Sequence, residues 1–343
     1  MKPLKQLLRT NIKDYITASC SESKILQNNF GVRLSLNESP YNIPYNRFPD
    51  TDCKTLKESL SKVKRVAENC ICVCNGMHGL VDVLCKCFCD SGVDNIVGVE
   101  PSLNVMKKMA GLNGVEYKTV LLNEDFSLNV ERIISACDDH TKLIYLSSPN
   151  NPTGNLFDAN QVIALLNLFD GMVIVDETYA DYNRMPSWRQ VIGRFSNLIT
   201  LDNMNHAWGC AAANVAMAYS NSNVIDVLNM VVPPYSVNSL AQQIVLQRLS
   251  DSFEVEKWVS TIVMERQRML AAFRQLPLCD KAFASEANFF LARFHDVDSV
   301  YTCLLDNDIY VHRCDDLTML DGCLRITIGS KNDNNELLST LRS

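Results

Sequence analysis

Two stretches, KLIYLSSPNNPTGN at 142–155 and GMVIVDETYADY at 171–182, decide how this chain folds. Each is a short aliphatic run that stops abruptly in a polar turn, the pattern of a strand buried on both faces rather than of an amphipathic helix. Working outward, NIVGVE (95–100), EYKTVLL (116–122) and NLITLD (197–202) repeat the pattern, with helical stretches between most of them. Such alternation predicts an α/β/α sandwich on a mainly parallel sheet, in which ligands bind beyond the carboxyl ends of the strands. Functional residues are therefore expected just after these runs.

Before them, CKTLKESLSKVKRV (53–66) has a helical apolar period, and the Asn- and Pro-dense LSLNESPYNIPYNRFPD (34–50) reads as an ordered, irregular loop. After them, residues 249–276 predict one long amphipathic helix, followed by short strands in ANFFLARF (287–294) and LRITIG (324–329). The organisation expected is an N-terminal arm and loop over 1–50, a large α/β domain over 51–245 and a smaller α+β domain over 246–343. At 343 residues the chain exceeds the size of a single growing core, which agrees with two units.

The 32 basic and 39 acidic residues are interspersed and leave a net charge of -7, so neither nucleic acid nor an anionic membrane surface is an expected partner. Charges interrupt the apolar residues of MKPLKQLLRTNIKDY, and no 18-residue apolar run follows, so a cytoplasmic protein is expected. Fourteen cysteines include Cys70, Cys72 and Cys74, then Cys85, Cys87 and Cys89, all at alternate positions. That spacing is not the C-x2-C of zinc sites, and it favours free thiols acting as small buried hydrophobes.

Taken together, the 142–155 and 171–182 motifs, LNESPYN (36–42), CNGMHGLVD (74–82), NHAWGCAA (205–212), ANFFLARF and LRITIG resemble the fold-type I aminotransferases. The nearest likeness is to histidinol-phosphate aminotransferase, and it runs over nearly the whole chain. The resemblance implies a pyridoxal-phosphate pocket in a homodimer whose N-terminal segment and 41–50 loop pack across the two-fold axis. It assigns Asn151 and Tyr179 to the cofactor's phenolic oxygen, Asp176 to the pyridine nitrogen, and Asn75 and Gly76 to the phosphate end. Arg325 would grip the substrate carboxylate, with Asn37, Tyr41 and Asn288 on the substrate side.

The same resemblance marks where the chain departs from its family. The family's cofactor lysine falls on His206, and no lysine occurs between Lys142 and Lys257. An imidazole cannot form the exchangeable imine, so a covalent aldimine is not expected, although His206 could still move a proton. The serine of the phosphate loop falls on Met77, the serine before the lysine on Asn205, the phosphate-binding arginine on Asn214, the partner-reaching tyrosine on Phe48 and the ring-stacking aromatic on Leu103. These changes all fall on the cofactor, so its binding is expected to be weak or absent. The functions that follow are a binding, regulatory or heterodimeric partner protein that has lost transamination; an enzyme working on pyridoxamine or pyridoxal phosphate with His206 as its base, as in relatives that dehydrate nucleotide sugars; a pocket now taken by a phosphate-free ligand; or residual aminotransferase function.

Overall fold

A computed structural model describes residues 2–18, 34–43, 45–103 and 105–342. Seven strands form the main sheet: β1 (Ile71–Asn75), β2 (Asn95–Glu100), β3 (Glu116–Leu121), β4 (Thr141–Ser147), β5 (Met172–Asp176), β6 (Leu198–Asn203) and β7 (Val215–Tyr219), ordered β1-β7-β6-β5-β4-β2-β3. β6, β5, β4, β2 and β3 are parallel; β7 runs antiparallel to both of its neighbours, β6 and β1. The carboxyl ends of β1, β4, β5 and β6 therefore lie along one edge, and the start of β7 joins them there.

The expected mixed fold with a mainly parallel sheet is present, and β4, β5 and β6 are almost wholly buried, which is why their sequences run apolar without alternation. Pleating still divides them: Val173 and Val175 face one core cluster, Met172 and Ile174 the other. The run 116–122 differs, because β3 is an edge strand with mostly accessible side chains. Cys72 and Cys74 on β1, with Cys85, Cys87 and Cys89 at the end of the Gly76–Phe88 helix, are buried free thiols pushed up by desolvation. Among the described residues no group of side chains could hold a metal, and no helix is long and apolar enough to cross a membrane.

The second sheet is antiparallel: β8 (Cys279–Ala282), β9 (Phe289–Phe294), β10 (His312–Arg313) and β11 (Cys323–Thr327), ordered β10-β11-β9-β8. The helix expected over 249–276 spans Ser252–Phe273 and is separate from a preceding helix, Ser239–Ser250. From that long helix the buried Arg266 donates to the carbonyl oxygens of Ala287 (2.7 Å) and Tyr182 (3.3 Å) and pairs with Glu286 (3.1 Å). One guanidinium thus ties the turn after β5 to the approach to β9, fixing the two sheets where the candidate residues meet.

Candidate active site

Asp176 ends β5 and is buried at the floor of the site. One strand over on β4, the fully buried Tyr145 donates its hydroxyl to Asp176 Oδ2. The other oxygen, Oδ1, accepts from the backbone N–H of Thr178 (3.0 Å) and from its hydroxyl (2.6 Å), and Asn203 Nδ2 donates to that hydroxyl oxygen (2.9 Å). Burial pushes the Asp176 carboxyl up, while the Thr178 and Tyr145 bonds act in the opposite direction. The chain itself therefore supplies three donors to this carboxylate.

Above the floor, Asn151 joins two other expected residues: its Nδ2 donates to the Tyr179 hydroxyl (3.2 Å) and its Oδ1 accepts from Arg325 Nη1 (2.7 Å). The turn is held in place by Asn150, whose Nδ2 reaches the Pro101 carbonyl (2.9 Å), and by Gly154, whose left-handed backbone (φ +77°) leaves no room for a side chain against Ser285. Leu103 donates its N–H to the Asn151 carbonyl (2.5 Å). His206 lies against Tyr179, ring centroids 4.8 Å apart, and Phe289 meets Tyr179 edge-on at 5.0 Å. The His206 ring is open to solvent on one side, yet the protein wall around it and, secondarily, the Arg325 cation push its pKa down, favouring neutral imidazole. Arg325 sits over the Phe289 ring at 5.4 Å, has no carboxylate partner among the described residues, and keeps a buried Nε without an acceptor.

At the opposite end three asparagines from three segments meet. Asn214 Nδ2 donates to Asn75 Oδ1 and Asn205 Nδ2 to Asn214 Oδ1, each at 3.4 Å. Gly76, the first residue of the Gly76–Phe88 helix, has φ +69°, and a Cβ there would lie 2.3–2.6 Å from the Asn214 amide. Asn205 Oδ1 is buried and has no donor.

The substrate-side residues are more dispersed. Asn37 and Tyr41 stand exposed on the 34–50 loop and make no hydrogen bond to the Arg325 group. Glu38 holds that loop by accepting from Arg47 Nη1 (2.5 Å) and the Phe48 N–H (2.8 Å), while Phe48 stacks on Tyr235. Asn288 is half-buried beside β11, with its carbonyl accepting from Ile328 (2.8 Å) and its side-chain oxygen buried without a donor.

Sequence reasoning missed a charged group behind the His206 segment. The buried Lys64 pairs with Asp202 (2.8 Å) and Asp181 (3.4 Å) and lies 4.8 Å from the Trp208 ring, whose Nε1 donates to Asp181 (2.7 Å). Burial works against the Lys64 cation, but the two aspartates outweigh it and raise its pKa. Lys64 is an ion-pair partner and not a spare amine for the pocket.

This fold and this arrangement at the strand ends define the class. The family model for aminotransferase class I and II matches residues 38–341, and the chain belongs to that family. It is 39% identical over 345 residues to histidinol-phosphate aminotransferase of Bacteroides fragilis, covering 100% of this chain and 99% of that one. With the Bacteroides thetaiotaomicron protein of the same name it shares 36% over 342 residues, again covering 100% and 99%. Among solved structures, the histidinol-phosphate aminotransferase of Clostridium acetobutylicum superposes with a TM-score of 0.80 at 23% identity, covering 87% of this chain and 90% of that one. That of Sinorhizobium meliloti, in complex with pyridoxal-5'-phosphate, gives 0.78 at 18% identity, covering 86% and 82%.

Proposed function

We propose that this chain is a histidinol-phosphate aminotransferase-like protein that does not carry out ordinary pyridoxal-phosphate transamination and acts as a binding or regulatory protein. The observation that carries the reading is His206: the side chain lying against Tyr179 at the centre of the site is an imidazole, and the family resemblance puts the lysine there. The residues present do not fit the phosphorylated cofactor. At the phosphate end the amide of Asn214 packs over Gly76, Asn205 presents a buried oxygen that needs a donor, and among the described residues no lysine or arginine bonds to the three asparagines.

What remains is a pocket for a small carboxylate. Arg325, which has no carboxylate partner among the described residues and is backed by Phe289, is the anchor. Asn151 and Tyr179 orient a polar group beside it. The experiment is direct: pyridoxal phosphate added to the purified protein gives no visible imine band, and borohydride leaves no adduct on residues 143–256 by peptide mass spectrometry. A trapped peptide from that interval refutes the reading.

The alternative, an enzyme that uses His206 as a base with pyridoxamine phosphate, is favoured by the lowered pKa of His206, which keeps the imidazole able to accept a proton. Micromolar binding of pyridoxamine phosphate by calorimetry would decide for it. We also propose a cytoplasmic homodimer. Leu34, Tyr41, Ile43 and Tyr45 expose large apolar surfaces on one loop, which a second subunit would cover. Of the N-terminal segment expected to join it, Leu7 and Leu8 are instead buried in this chain's own core and the Arg9 N–H donates to the Cys87 carbonyl (2.8 Å), while residues 19–33 lie outside the described residues. Sedimentation at micromolar concentration should show a dimer, and a monomer alone would remove this part of the proposal.

A further inference from the structure

The second sheet carries a pair of thiols that the site does not use. Across β10 and β11 His312 pairs with Arg325 and Arg313 with Leu324, so the next rung of this antiparallel hairpin sets Cys314 directly opposite Cys323. The Cys314 N–H donates to the Cys323 carbonyl (3.0 Å), which makes the rung a hydrogen-bonded pair. Both side chains are fully buried in the core cluster that also holds Trp208 and Leu291, whereas Leu324 and Ile326 pack into the cluster on the other face. The two thiols therefore leave the hairpin on the same side. Cys279, two strands away from β11, packs against the opposite cluster and is no rival.

Directly opposite residues in such a rung have Cα atoms about 5.5 Å apart, inside the roughly 4.4–6.8 Å that a disulfide spans. Their Cβ atoms, at up to about 5.5 Å, stand roughly 1 Å wider than a bridge prefers, so closing the bond draws the strands together and leaves it easily reduced. Little holds the sulfurs apart: each rests on the carbonyl two residues back, Cys314 on His312 (3.9 Å) and Cys323 on Asp321 (3.6 Å), and a thiol donates only weakly. The next rung on the same face is His312–Arg325, and Arg325 reaches from it to Asn151 (2.7 Å). A change in strand spacing at the cysteines is thus passed to the guanidinium.

We propose that Cys314 and Cys323 close a reversible disulfide that shifts the His312–Arg325 rung and withdraws Arg325 from Asn151. The consequence for ligands rests on the reading of Arg325 as the carboxylate anchor, but the bond itself does not. The oxidant is a low-molecular-weight disulfide such as oxidised glutathione. One cysteine attacks it as a thiolate and releases one glutathione; the second attacks the mixed disulfide and releases the other, so the two protein thiol protons end on two glutathione thiols. Burial pushes the Cys314 thiol up to about 12, so the closed hairpin is inert and reaction follows opening of the 315–322 turn, in which only Leu320 is buried.

Trypsin, cutting after Arg313 and Arg325, releases both cysteines in one peptide, 314–325. After the full-length protein is held with oxidised glutathione and alkylated in denaturant, that peptide should be lighter by two hydrogens and carry no alkyl group. Dithiothreitol given to the oxidised native protein should restore both thiols. A second readout needs no ligand: phenylglyoxal modifies free guanidinium groups and blocks cleavage after Arg325. Its rate there should rise about threefold or more on oxidation, as the Asn151 bond is lost, and should not rise in Cys314→Ser or Cys323→Ser. Two alkylated thiols in the 314–325 peptide, glutathione left on either one, a bridge to a different cysteine, or a bridge that leaves the Arg325 rate unchanged overturns the proposal. None of these results involves pyridoxal phosphate, so such a failure leaves the proposed loss of transamination intact.

Discussion

The two ends of the site are built differently. At the floor and carboxylate end, Asp176, Asn151, Tyr179 and Arg325 are bonded at 2.6–3.2 Å to each other or to Thr178, and a full positive charge stands at the rim. At the helix end, three neutral amides touch at 3.4 Å with one buried oxygen unsatisfied. Charged and well-aligned bonds resist change because breaking one strands a buried charge, whereas weakly bonded neutral amides can be exchanged with little effect on folding. The same sheet edge thus holds a rigid, tightly bonded half and a soft, weakly bonded half.

The largest effect should come from behind the rigid half. Lys64→Ala leaves the buried Asp202 with only the more distant Arg189 (4.0 Å) and the half-buried Asp181 with its Trp208 bond, and should destabilise the protein by about 3 kcal/mol, read as a shift of the urea midpoint. A midpoint unchanged within error would mean that the ion pairs do not hold this half together.

Next comes Gly76→Ala at the boundary between the halves. The left-handed backbone and the Asn214 amide in the Cβ position should cost about 1–3 kcal/mol. Adding Asn214→Gly should recover part of that loss, and full additivity of the two changes would show that the amide is not what crowds Gly76.

Glu177, next to Asp176, sharpens the comparison through pH. Burial lifts its carboxyl from 4.5 to about 7, against the bonds from Ser187 and the Trp188 N–H. A raised folded-state pKa means that its stabilising contribution is present in full below about pH 4.5 and is lost as pH rises through about 7. Thermal melts should therefore show the native protein losing stability over that window relative to Glu177→Gln, and parallel profiles would contradict the assignment.

The smallest effect belongs to the soft half: Asn205→Ala should change folding stability by less than about 1 kcal/mol, because its one bond is long and its oxygen is already unpaired. A loss above about 2 kcal/mol would show that the asparagines are structural.

Much of the fold was legible because strands buried on both faces must be apolar throughout, which singled out β4, β5 and β6. β7 was not, since VAMAY continues the small-residue run of AAAN without a turn signal and reads as part of the same loop. Asn151, Tyr179 and Arg325 could be named from motifs, and they do meet. The partners that give them context could not: Lys64 is 117 residues from Asp181, Asn75 is 139 from Asn214, and Tyr145 looks like one more apolar strand position until Asp176 is seen beside it. Helix periodicity places Lys64 in an amphipathic pattern but says nothing of the carboxylates that permit its burial.

The central claim is that divergence of the whole soft half, and not the histidine alone, removes transamination. It is tested most directly by measuring pyridoxal phosphate affinity and histidinol phosphate turnover for His206→Lys and for His206→Lys combined with Asn205→Ser and Asn214→Arg. The single change should leave weak binding and negligible turnover, while the combination recovers far more than the three changes do singly. Tight binding and strong transamination from His206→Lys alone would contradict this account.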